Sequence, residues 1–215
     1  MARPRRRPRI DRAAILIAGF AALQAPLPAA GATAEPTDLR DVRVGMAVTD
    51  LPAAGYDRLT CRGGEPRTIA SWQEWRSCPA DERGQRAIGF RYDDVDRKGT
   101  KVAGHPALLT LRVGADARID GLDIETDPKA PMFLRKKGFL LGLQARAHWG
   151  EDGWTCETEA PSGDETPIGD TFVKEQCRKV LPHRVVTVRR ELYRPIGQDL
   201  RAFVSRTRIS IAGTD

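Results

Sequence analysis

The chain has 215 residues, 35 Lys and Arg against 29 Asp and Glu, a formal net charge of +6 and a pI of about 9.4. Six of the arginines lie in the first 12 residues beside a single acid, Asp11, so the remainder after position 34 holds 29 basic and 28 acidic residues. That balance removes the charge argument for nucleic-acid binding, which needs a basic patch on the folded domain.

The chain opens with "MARPRRRPRIDR", a basic stretch, followed by the 11-residue apolar run "AAILIAGFAAL" and then "QAPLPAAGATA". A run that short is too short to span a bilayer and has the length of a signal-peptide core. Ala32-Thr33-Ala34 supplies the small-x-small pattern, so the sequence predicts an export signal over 1–34, cut after Ala34 and leaving no permanent membrane span. A retained anchor is the alternative. The general secretory route is expected, and the adjacent Arg5, Arg6 and Arg7 leave a twin-arginine route open. No cysteine follows the apolar run to carry a lipid. The 181 residues that remain suffice for one domain with a real core or for two small ones.

The next segment, "VRVGMAVTDLPAAGYDRLTC", predicts a brief helix at most, because Leu51-Pro52 interrupts it. Strands are predicted where apolar residues alternate: Ile88, Phe90 and Tyr92 opposite Arg91, then Leu109, Leu111 and Val113. After the turn signal "GADA" come Ile119, Leu122 and Ile124. "TDPKAPMF", with Pro128 and Pro131, marks a joint. Phe139, Leu140, Leu143 and Ala147 recur at helical spacing, and Gly150 and Gly153 end that helix. A last strand sets Phe203, Ser205, Thr207, Ile209 and Ile211 against Val204, Arg206 and Arg208.

The chain nearly repeats itself: "GYDRLTC" ends at Cys61 and "DGWTC" at Cys156. An apolar segment, a Gly-aromatic turn, a cysteine, a loop, a second cysteine and strands follow in the same order in each half. The reading is therefore α+β: a duplicated unit of one helix packed on an antiparallel sheet, with one local disulfide per unit. The units are 35–128 and 129–215. Four cysteines in an exported chain predict disulfides, and their separations favour Cys61–Cys78 and Cys156–Cys177. Zinc knuckles are absent.

The "V-x-V-G-M" opening, short helix, Gly-aromatic turn and antiparallel strands resemble the small periplasmic fold of the outer-membrane assembly lipoproteins of the SmpA/OmlA type and of the beta-lactamase inhibitory protein. PepSY-type domains are a second resemblance. The likeness implies a tandem periplasmic fold and carries no functional residue across.

No G-x-S-x-G, H-E-x-x-H, P-loop or G-x-G-x-x-G motif is present. His105, His148 and His183 lie far apart. Asp93, Asp94 and Asp96, and Asp123, Glu125 and Asp127, form two acidic clusters without the spacing of a calcium loop. From Cys177 onward there are nine basic and three acidic residues. Arg189, Arg201, Arg206 and Arg208 are the candidate binding residues, among neighbours Arg190 and Arg194. Such a face suits a carboxylate-rich protein or an anionic envelope polymer; a solvated sheet face is the plainer alternative. Trp72, Trp75, Trp149 and Trp154 flank the cysteines and read as core over the bridges. The expected function is an exported periplasmic binding or envelope-assembly protein without catalytic activity or cofactor. The alternative is a small periplasmic hydrolase or metal-dependent enzyme with a site assembled from distant residues.

Overall fold

The computed structural model describes residues 37–93, 100–199 and 201–214; the expected leader, with Asp94 and Asp96, lies outside them. Eleven strands follow in chain order: β1 Tyr56–Arg62, β2 Arg67–Thr68, β3 Arg86–Tyr92, β4 Lys101–Val102, β5 His105–Val113 and β6 Ile119–Thr126, then β7 Thr155–Thr158, β8 Glu165–Thr166, β9 Val173–Leu181, β10 Arg184–Pro195 and β11 Val204–Gly213. They form one antiparallel sheet in the order β2-β1-β3-β5-β6-β11-β10-β9-β7, with β4 on β5 and β8 on β10. The seam between early and late strands is β6 against β11, where Ile124 faces Ile209 and Leu122 faces Ile211.

Period-2 alternation assigns the faces. On one face Ile88, Leu111, Leu122, Ile211 and Val186 sit side by side, all fully buried. Burial of such side chains contributes about 1.5–3 kcal/mol each. Three pieces cover them: Val42, Val44, Val48 and Leu51 from the first segment, Trp72 and Trp75 from the 3-10 stretch Trp72–Ser77, and Leu141 and Ala145 from a helix. Tyr56 meets Trp72, Phe90 and Tyr92 edge to face, with centroids 5.4–6.1 Å apart. Asp38 and Arg184 pair at 2.9 Å in the interior, and Asp38 also accepts the Val44 N–H. This fastens the first segment to β10.

The duplicated helix-on-sheet reading is overturned. The molecule is mostly antiparallel sheet with one helical stretch, made of α1 Met132–Arg135, the 3-10 turn Gly138–Leu140 and α2 Leu141–His148. The early strands have no such helix. There, among the described residues, the chain offers the 3-10 turn Val48–Asp50 and the 3-10 stretch Trp72–Ser77. The reason is backbone bookkeeping as much as Pro52. Gly45 donates to Ile119 O, Ile119 donates to Met46 O, and Val48 donates to Ala117 O. Groups committed to the β5–β6 turn cannot also close helical rings. Residues 36–215 form one compact unit, and its sheet runs past residue 128 without a break.

The disulfides join Cys61 to Cys78 and Cys156 to Cys177, with Cα atoms 5.1 and 4.0 Å apart. The first ties β1 to the residue after the 3-10 stretch, under which Trp72 and Trp75 are buried. The second links directly opposed residues of β7 and β9. Trp149 and Trp154 are only partly buried and pack at the margin of the core.

Candidate functional site

The other face of the sheet has no covering layer among the described residues. It presents residues alternate to the core set, and the seam places opposite charges side by side. Arg112 on β5 donates from Nη1 to both oxygens of Asp123 on β6, at 2.9 and 2.7 Å, and Ser210 Oγ on β11 donates to Asp123 at 2.7 Å. Arg208 on β11 meets Glu125 on β6 at 3.0 Å.

Beyond the seam the charges form a chain. Glu191 on β10 is 2 % exposed. It accepts from Arg206 Nε on β11, and Arg189 lies 3.4 Å from its other oxygen. Arg189 also reaches Glu159 at 3.7 Å, which pairs with Lys174 at 3.2 Å, which pairs with Glu165 at 3.0 Å. Burial would raise the Glu191 carboxyl. The Arg206 hydrogen bond and the charges of Arg206, Arg189 and Arg208 outweigh it and hold Glu191 below its ordinary value. Backbone donation from Ser162 and the nearby Lys174 likewise hold Glu165 low.

Three of the four arginines singled out in the sequence, Arg189, Arg206 and Arg208, therefore share this face, and each already has a carboxylate partner. Arg201 does not join them. It sits exposed in the β10–β11 connection, where its N–H donates to Asp199. Arg190 turns to the covered face and pairs with Glu175 at 2.5 Å. The sequence reading missed Glu191, whose single acidic letter among arginines carries the network. It also missed Arg62, which lies over β1 on the same face as Arg91, the residue that alternation had set opposite Ile88, Phe90 and Tyr92 on β3. A backbone irregularity between Asp57 and Thr60 breaks the alternation of β1 and hides that placement. Gly89, in the middle of β3, was the available signal.

A cavity of about 360 Å³ opens where β5 begins and β6 ends. His105, Glu125, Asp127, Arg135 and Ser205 are among its lining residues. Their groups are engaged elsewhere: Glu125 with Arg208, Asp127 with the Lys129 N–H, Ser205 with the Phe139 N–H. Burial lowers the His105 imidazole, opposed by a hydrogen bond with Gln144. His148 rests against Trp149, and His183 occupies the exposed β9–β10 turn. Among the described residues, ligand atoms close enough for a metal occur at Cys156, Glu175 and Cys177, and both sulfurs are spent in the disulfide.

Site and fold together define a one-layer antiparallel sheet, covered on one face and open on the other. No family model, curated protein or solved structure matches the chain.

Proposed function

We propose that the protein is an exported binding or envelope-assembly factor that receives a partner on the open face of its sheet. The observation that supports this is the face itself: polar side chains from adjacent strands, ordered by a charge network and left without a covering layer. Ordering in advance lowers the entropy lost on binding. Two disulfides fit an oxidising compartment such as the periplasm. Paired arginines still offer remaining N–H donors to a carboxylate-rich protein or anionic polymer.

The test is photocrosslinking in envelope extracts with a benzophenone side chain at Thr110 or Thr187 on the open face, against Leu143 on the exposed side of α2. Adducts from the first two and none from Leu143 are expected. Adducts confined to Leu143 would move the binding surface to the helical layer.

A hydrolase reading has one supporting observation, His105 in a cavity shared with Glu125 and Asp127. The engagement of those carboxylates and of His105 in other bonds places it second.

A further inference from the structure

The cations of the open face differ in how they are matched: those around the seam are paired, whereas Arg178 on β9, Arg62 on β1 and Arg91 on β3 have no carboxylate among the described residues. Around the seam, Arg112, Arg206, Arg208 and Arg189 each meet a carboxylate. On β1 and β3, Arg62 and Arg91 meet no carboxylate or other acceptor among the described residues, and both are exposed. Asp57 lies opposite Arg91 in register, but its carboxylate turns to Arg58, accepting from the Arg58 N–H at 2.7 Å and lying 3.5 Å from its Nε. A groove of about 240 Å³ runs between them, lined by Arg58, Arg62, Arg91, Thr60, Gly89 and Leu108, with no acid on its wall.

Gly89 shapes this groove. A glycine inside a strand weakens it and often marks a close approach. A Cβ at position 89 would lie 2.4 Å from Arg62 Nε and 2.7 Å from its Nη2. The missing side chain lets Arg62 lie flat across β3, so that its guanidinium forms part of the groove floor. An arginine laid down in this way, with its donors unspent, is pre-organised for an oxyanion.

We infer that this groove is an oxyanion site, taking a phosphate or carboxylate group through Arg62 and Arg91; the Thr60 hydroxyl on its wall donates to the Arg58 carbonyl at 3.1 Å and is not counted among the donors. The inference deepens the reading of the open face as the binding face and places the acidic group of its ligand at the β1–β3 end. Arg58 adds positive charge at the rim.

The experiment follows the arginine Nε–H resonances of the purified protein at low ionic strength. Inorganic phosphate is titrated in one arm and acetate in the other. Saturable shifts at Arg62 and Arg91 are expected, and the arm that saturates identifies the group. Binding should weaken about tenfold or more in Arg62→Gln/Arg91→Gln. It should weaken similarly in Gly89→Ala, which displaces only the flexible end of Arg62 and should keep the circular dichroism and unfolding midpoint of the parent. Lys136→Gln, which removes an exposed cation of the helical stretch on the covered side, should bind as the parent does. Absence of saturable shifts at Arg62 and Arg91, or parental affinity in Gly89→Ala with Arg62 shown to be displaced, overturns the inference. Crosslinks at Thr110 or Thr187 that persist in that event leave the wider reading standing. Saturable binding without crosslinks would instead sink the wider reading alone.

Discussion

Glu191 shows how one side chain organises a surface. A carboxylate that is 2 % exposed on the open face of a sheet is tolerable only because Arg206 and Arg189 close over it. Arg206 and Arg208 are consequently unequal, although they lie two residues apart on one strand face. Arg208 and Glu125 are half-exposed, and such a pair contributes roughly 0.2–1 kcal/mol. Arg206→Gln should cost about 1–3 kcal/mol at neutral pH by leaving a buried acceptor short of its donor. The pH dependence has a defined sign. The folded value of Glu191 is below its ordinary 4.5, so its stabilisation is present above 4.5 and is lost as pH falls through the lower folded value. Urea unfolding of the parent and of Arg206→Gln should thus differ most near pH 7, and the difference should shrink as pH falls below 4.5 through the lower folded value. A difference that stays constant with pH would assign the effect to packing of the arginine stem. Arg208→Gln should be near neutral throughout.

At the level of elements, the two disulfides do different things despite similar loops. β7 is a four-residue edge strand with every residue exposed, and Cys156 fastens it to the buried Cys177. Cys61 and Cys78 are both buried and hold the 3-10 stretch that delivers Trp72 and Trp75 to the core. Hydrogen exchange should therefore separate them. Cys156→Ser/Cys177→Ser should speed exchange at Thr155–Thr158 while the strands at the β6–β11 seam stay protected. Cys61→Ser/Cys78→Ser should lower global stability, by about 3 kcal/mol for the lost crosslink, and raise exchange across β1 and β3. Equal global losses in both variants would show that β7 is not an independent edge.

For the whole molecule the decisive contact is β6 with β11, strands separated by the helix and four intervening strands. Cutting the chain at the joint near Pro128 would leave β6 as a bare edge. Leu122 and Ile124 would lose Ile211 and Ile209 beside them, and Ile124 would lose the α2 side of its surroundings, where Leu141 lines the same small cavity. A chain of residues 35–128 is expected not to fold by itself, giving collapsed amide dispersion in its proton–nitrogen spectrum. A well-dispersed spectrum would show that the early strands hold an independent core.

Local patterns carried several features as far as the structure does. Alternation assigned Ile88, Phe90, Tyr92, Leu109, Leu111, Val113, Ile209 and Ile211 to buried faces, because the side-chain period of a strand is a property of its own backbone. Cysteine number and separation pointed to two local bridges, since a short loop brings its ends together cheaply. The periodic stretch from Phe139 marked the helix but not its buried face: Leu143 and Ala147 are exposed, and Leu141, Gly142 and Ala145 pack on the sheet. What the sequence read wrongly was the duplicated helix-on-sheet unit; the early half, where a brief helix at most was expected, holds the 3-10 turn Val48–Asp50 in its place. The hydrogen bonds of 45–48 go to residues 117–119, some 70 positions away, and no local pattern reports a partner at that distance. The charges behave in the same way. The letters Arg189, Arg206 and Arg208 read as a basic face, Arg91 read only as the outward residue of its strand, and Arg62 was not singled out. Which arginine is neutralised depends on the register of neighbouring strands, and register is set by burial and pairing across the whole sheet, so only the tertiary structure decided it.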